Sequence, residues 1–251
     1  MNTFAPIMRY LIRLSFNGKN YHGWQKQLNA HAVQSELELK LSLLLGSNIE
    51  TLGCGRTDTG VHARQYFAHF DCEKELETDR VVYKLNQMLP KDIAIQSVQR
   101  VSDDFNARFY ADYRVYEYWI VQSADPFLTD FAWYQYGEMD LEKMNAAAAL
   151  LLAHKDFECF SKVHTDVKTF ICDVIHAQWK AEGDKLIFTI KANRFLRNMV
   201  RAIVGTLVEV GRNKITLDDF RKILESKSRS EAGHSVPAQG LYLVEVHYPR
   251  Y

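Results

Sequence analysis

The stretch GCGRTDTGVHAR, from Gly53 to Arg64, gathers three glycines around a single carboxylate, Asp58, with Arg56 two positions before it. Glycine turns on loops bring short side chains within reach of a substrate. A carboxylate presented in this way can attack an anomeric carbon and form a covalent glycosyl intermediate. Asp58-Thr59-Gly60 is also the tripeptide of aspartic proteases, which pair two such aspartates around a shared proton. The chain has one copy of it. A neighbouring cation favours an ionised carboxylate, the opposite of what a shared proton requires. The plain alternative is a turn, since Asp, Thr and Gly are ordinary turn formers.

Three other groups of residues bear on that choice. Arg194, Arg197 and Arg201 stand at i, i+3 and i+7, which on a helix is one face. That face is either a solvated cationic stripe or a phosphate-binding ridge, extended by Lys191, Arg212 and Lys214. FNARFYADYRVYEYW (105–119) holds seven aromatics and two arginines. Most belong to a core, but Tyr116 and Tyr118 share a strand face with Arg114, and a tyrosine there can stack on a flipped base. FNGKNYHGWQKQ (16–27) is a glycine-bearing loop with Lys19, Tyr21, Trp24 and Lys26, a composition that suits contacts. Hydrolytic glycosidases add a second carboxylate as acid/base, and no second acidic residue sits at a comparable glycine turn. A reaction that breaks an N-glycosidic bond and re-forms a bond to the same base has no water to activate.

The elements that must position these residues are legible from periodicity. MRYLIRLSF (8–16) alternates Tyr10, Ile12, Leu14 and Phe16 against Arg9, Arg13 and Ser15, a half-buried strand. AVQSELELKLSLLLG is a helix closed by Gly46. Strands are predicted at 63–70, in DIAIQSVQRV, at 113–122 and in GLYLVEVHY. Helices are predicted in DRVVYKLNQMLP, stopped by Pro90, at 140–154 and at 193–211. FICDVIHAQWKAEGDKLIFTIKA is a hairpin turning at Glu182-Gly183-Asp184. TLDDFRKILES opens with Thr216 and Asp219 at capping-box spacing, with Asp in place of the usual Glu. Hairpins without strict β-α-β alternation predict an α+β fold with a largely antiparallel sheet. Two halves are expected, 1–105 with the Asp58 loop and 106–251 with the Tyr116 strand and the basic helix.

The 251 residues are 47% hydrophobic, enough for a sizeable core. No run of about 18 apolar residues is present, so no membrane span is expected, and the N-terminus lacks a signal-peptide pattern. A cytoplasmic location is expected by default. Lys+Arg and Asp+Glu both count 31, which argues against coating nucleic acid by bulk charge but leaves a local basic site open. The four cysteines form no C-x-x-C pair and no H-E-x-x-H occurs, so no metal site is expected.

GRTDTGVHA resembles the signature loop of the tRNA pseudouridine synthase A family. The resemblance extends in order through NGKNYHGWQKQ, VQSELE, NQMLPKDI, FNARF, YRVYEYWI, KANRFLRNMVRAIVG and GLYLVEVHY. It implies a pseudouridine synthase fold, two related α+β halves sharing an antiparallel sheet flanked by helices, with the active cleft across it. It implies isomerisation of uridine to pseudouridine at positions 38 to 40 of the tRNA anticodon arm by a homodimer, with no metal or organic cofactor. By position, Asp58 matches the nucleophile and Arg56 the arginine that holds the target nucleotide out of the stack. Tyr116 matches the tyrosine on the target base, Arg201 the basic partner of the aspartate, and Leu241 an apolar residue near the base. Arg194 and Arg197 are the phosphate-binding candidates. Thr59 and Cys54 stand where the family usually has Ala, and Phe16-Asn17 where it has Tyr-Asp. A catalytically silent RNA-binding module of the same fold is the competing function.

Overall fold

A computed structural model describes residues 7–162 and 167–249. Contacts divide the chain into two compact units, the residues up to Asp112 with those from Leu243 onward, and Tyr113–Tyr242.

In the first unit β1 (Met8–Phe16) runs antiparallel between β3 (His62–Cys72) and β4 (Ile93–Arg100), and the short β2 (Thr51–Gly53) adds to β3. Tyr10, Ile12, Leu14 and Phe16 are all buried, as the alternation requires, and Leu11 is buried on the other face. Arg9 forks onto its cross-strand neighbour Asp71, with Nε and Nη2 each 2.7 Å from a carboxylate oxygen. α1 (Val33–Leu45) buries Val33, Leu37, Leu41 and Leu45, one side chain per turn. α2 (Thr78–Met88) lies on β4. It stops because Leu89, preceding Pro90, takes the extended backbone that a proline imposes on its predecessor.

In the second unit β8 (Lys185–Ala192) lies between β5 (Tyr113–Val121) and β7 (Val174–Glu182), both antiparallel to it, and β6 (Trp133–Tyr134) pairs parallel with β5. The β7–β8 hairpin turns at Gly183, as predicted. α3 (Leu141–Ala153) packs on β7 and on α4 (Met199–Gly211). α5 (Leu217–Ser226) opens with a complete capping box, the Thr216 hydroxyl accepting from Asp219 N–H while the Asp219 carboxylate accepts from Thr216 N–H. β9 (Leu241–His247) begins in the second unit with Leu241 and Tyr242 and continues in the first. Both units have the α+β character and antiparallel pairing expected from the hairpin order.

The helix expected over 193–211 is shorter. β8 runs to Ala192, and Asn193 is then tied to Asp173 through N–H to carbonyl at 3.1 Å and a returning Asp173 N–H to Asn193 Oδ1 at 2.9 Å. Asn198 has φ +67°, a left-handed backbone that a right-handed helix excludes. The helix starts only at Met199. Arg194, Arg197 and Arg201 therefore do not form one helical face: the first two lie on the irregular segment before it.

Candidate active site

Asp58 sits at the first position of a tight turn. Val61 N–H donates to the Asp58 carbonyl at 3.2 Å, and Gly60, two residues on, has φ +80°, which L side chains resist. Asp58 is half-buried and Arg56 exposed. The turn is built from both flanks. Cys54 N–H reaches the Phe67 carbonyl on β3 at 2.8 Å, and the Tyr66 hydroxyl donates to the Gly55 carbonyl.

The neighbouring 16–27 segment also supports it. Trp24 N–H donates to Thr57 Oγ1 at 3.0 Å, Gly60 N–H to the Tyr21 carbonyl at 3.2 Å, and Gly18 N–H to His62 Nδ1 at 3.1 Å. Gly23 lies so near that a Cβ there would fall 2.1 Å from the Thr57 carbonyl oxygen. Tyr21 and Trp24, on the loop whose composition suits contacts, are buried at 2% and 1% exposure. Each has a reason. Trp24 stacks on Tyr66 with centroids 4.2 Å apart, and the Tyr21 hydroxyl donates to Asp92 Oδ1 at 2.6 Å. Burial and then the Asp92 carboxylate push the Tyr21 phenol above its usual range, so it remains a donor.

The second unit gathers another set. Tyr116 is half-buried on β5, in a T-shaped contact with Phe195 at 5.0 Å and 83°. Arg114, on the same face, donates from Nη1 to the Asn193 carbonyl at 2.9 Å, so the 193–198 segment lies over this end of β5. On it Arg194 is half-buried with Nη1 3.4 Å from the Thr169 carbonyl, and Arg197 is exposed. Every residue of α4 is buried except Arg201 and Glu209. Arg201 occupies the first turn, the positive end of the helix, where the dipole opposes a cation. It is held there by Val236, whose carbonyl accepts from Arg201 Nε at 2.7 Å and whose N–H donates to the Arg201 carbonyl at 3.2 Å. The Tyr118 hydroxyl donates to the Pro237 carbonyl at 2.8 Å. Burial drives its ionisation far above the ordinary phenol range, and the Arg201 charge works in the opposite direction. Leu241 is 5% exposed at the start of β9.

Asp58 and Arg56 thus lie two positions apart in one loop of the first unit, and Tyr116, Arg194, Arg197, Arg201 and Leu241 belong to the second. Sequence reasoning missed the supporting residues Thr57, His62, Asn198 and Val236. The signal available for the first two was their nearness to Gly55 and Gly60 in the glycine-bearing loop. For the others there was only Asn198, a residue type tolerant of left-handed backbone.

Comparison with known proteins agrees with these motifs. The family model described as tRNA pseudouridine synthase matches residues 14–110 and 147–249. The tRNA pseudouridine synthase A of Bacteroides thetaiotaomicron is 50% identical over 97% of this chain and 91% of its own. That of Bacteroides fragilis is 49% identical, covering 97% and 98%, and that of Parabacteroides distasonis 48%, covering 97% of both. With a match that takes in the Asp58 turn, α4 and β9, and relatives that span β5 as well, the chain belongs to the tRNA pseudouridine synthase family.

Proposed function

We propose that this protein isomerises uridine to pseudouridine in tRNA, at positions 38 to 40 of the anticodon arm. The observation that carries the reading is the family match over residues 14–110 and 147–249. The target uridine leaves the stack, an unfavourable step offset by contacts in the protein. Asp58 acts on the ribose, by attack at C1′ or by removing a ribose proton, and the N1–C1′ bond breaks. The detached uracil stays packed on Tyr116 beside Leu241, rotates, and bonds to C1′ through C5. The C5 proton is lost to solvent and N1 gains one, so the reaction is redox-neutral and consumes no water. Arg56 holds the extruded nucleotide, Arg201 supplies positive charge for the reacting carboxylate, and Arg194 and Arg197 contact phosphates.

Arg201 supports this assignment by its placement: it stands in the first turn of α4, with Nε fixed on the Val236 carbonyl at 2.7 Å. The protein acts as a homodimer in the cytoplasm, where tRNA is found. A light-scattering mass near that of one 29.1 kDa chain would overturn the dimer. Among the described residues no helix is long and apolar enough to cross a membrane.

The test uses unmodified tRNA transcripts carrying tritium at uridine C5. Rebonding through C5 must expel that hydrogen. The protein is expected to release it to water, and Asp58→Asn to release none while still binding tRNA. Binding without release by the wild type would make the chain a silent RNA-binding module. Equal loss of binding in Asp58→Asn would make Asp58 a folding or docking residue.

A further inference from the structure

We infer that Thr57 and His62 are positioning residues, which fix Asp58 by clamping its turn onto the 18–24 segment. The inference rests on Asp58 as the reacting carboxylate. It deepens that reading by naming what holds the carboxylate in place.

The tethers bracket Asp58. Immediately before it, Thr57 Oγ1 accepts from Trp24 N–H at 3.0 Å. Two residues after it, Gly60 N–H donates to the Tyr21 carbonyl at 3.2 Å, and two further on His62 Nδ1 accepts from Gly18 N–H at 3.1 Å. Because Nδ1 accepts a backbone N–H, it is the unprotonated ring nitrogen, and with His62 2% exposed its removal would leave a buried donor unsatisfied. The second strand of the clamp is itself anchored. Tyr21 and Asn20 both donate to the Asp92 carboxylate, at 2.6 and 3.2 Å, just ahead of β4. Trp24 is wedged against Tyr66 of β3. Asp58 is therefore joined to β3 and β4 by side chains that take no part in the chemistry. The position of the turn sets the position of the carboxylate, and about 1 Å of misplacement costs on the order of 100-fold in rate.

Two pairs of variants test this. Thr57→Val keeps the shape and removes the acceptor, and Thr57→Ser keeps it. His62→Leu removes the Nδ1 acceptor, and His62→Asn places an oxygen at the same position. Each is assayed for tritium release, tRNA affinity and thermal midpoint. Thr57→Val and His62→Leu are expected to lower kcat by about 10- to 100-fold with KM and tRNA affinity unchanged. Thr57→Ser and His62→Asn are expected to restore most of it. Wild-type kcat in a folded Thr57→Val or His62→Leu overturns the clamp, as does a serine or asparagine variant as slow as its partner. Should one removal variant fail to fold, the other pair decides. An active Asp58→Asn would instead overturn the assignment of the nucleophile, an outcome separate from these.

Discussion

Arg201 and Val236 hold one another by two hydrogen bonds, Nε to carbonyl at 2.7 Å and N–H to carbonyl at 3.2 Å. The first uses one edge of the guanidinium as a fixed point and sets the direction of the remaining N–H groups. A lysine has the charge without the planar fork: its donors all sit on one nitrogen, so bonding the Val236 carbonyl would hold the charge itself there. Arg201→Lys is therefore expected to bind tRNA normally and lose about 10- to 100-fold in kcat. Tritium release at the wild-type rate from Arg201→Lys would reduce the role of Arg201 to charge alone.

Tyr116 is proposed to act through its ring. Base stacking on an aromatic side chain is worth about 1–3 kcal/mol, or roughly 5- to 150-fold. Tyr116→Ala is expected to lower kcat/KM within that range, and Tyr116→Phe to stay near the wild type. A Phe variant as impaired as the Ala variant would assign the role to the hydroxyl instead. Phe195, edge-on to Tyr116 at 5.0 Å, limits the tilt of the ring, so Phe195→Ala should give a smaller loss in the same direction.

Arg194 and Arg197 separate once the predicted helix is shortened. Arg197 is exposed, whereas Arg194 is half-buried and leans on the Thr169 carbonyl. If both face phosphates, Arg197→Ala should weaken tRNA binding more than Arg194→Ala. It should also flatten the plot of log affinity against log salt by roughly 0.7 to 0.9 for each phosphate no longer neutralised. Equal slopes for Arg197→Ala and wild type would remove Arg197 from the RNA surface.

These residues also mark what the sequence could convey. β1, α1 and α3 were legible because their burial follows a local period, and the β7–β8 hairpin because Glu182-Gly183-Asp184 marks its turn. The 193–198 segment misleads for a physical reason. Its Arg, Phe and Leu fit a helix, but Asn193 is claimed by Asp173, twenty positions earlier, and Asn198 adopts a left-handed backbone. The nearness of Asp58 and Arg56 was legible because they stand two positions apart in one glycine-bearing loop. The support of Arg201 was not, since Val236 is 35 positions away. The 16–27 loop has a composition that suits contacts, and its ties to its own chain, through backbone groups, the Tyr21 hydroxyl and the Trp24 ring, carry no local period.

His69 gives stability an acid limb independent of catalysis. It is 6% exposed on β3, and its Nδ1 accepts from Ala107 N–H at 3.2 Å. Burial, assisted by Arg9 and opposed by Asp71, lowers its pKa from 6.5 to about 4. The folded state thus keeps His69 neutral where the unfolded chain would protonate it. Its contribution is complete above pH 6.5, falls as the pH drops from 6.5 toward 4, and is constant below that. Over the whole window the loss is about 3 kcal/mol, since one proton taken up only by the unfolded chain costs roughly 1.4 kcal/mol for each pH unit crossed. His69→Asn retains an acceptor for Ala107 but cannot titrate. Urea unfolding between about pH 4 and 7 should show the stability of the wild type falling more steeply on acidification than that of His69→Asn, by up to about 1.4 kcal/mol per pH unit. Parallel curves would mean that His69 is protonated equally in both states, and the acid limb would then belong to carboxylates such as Asp71, held below the usual range by its hydrogen bond to Arg9.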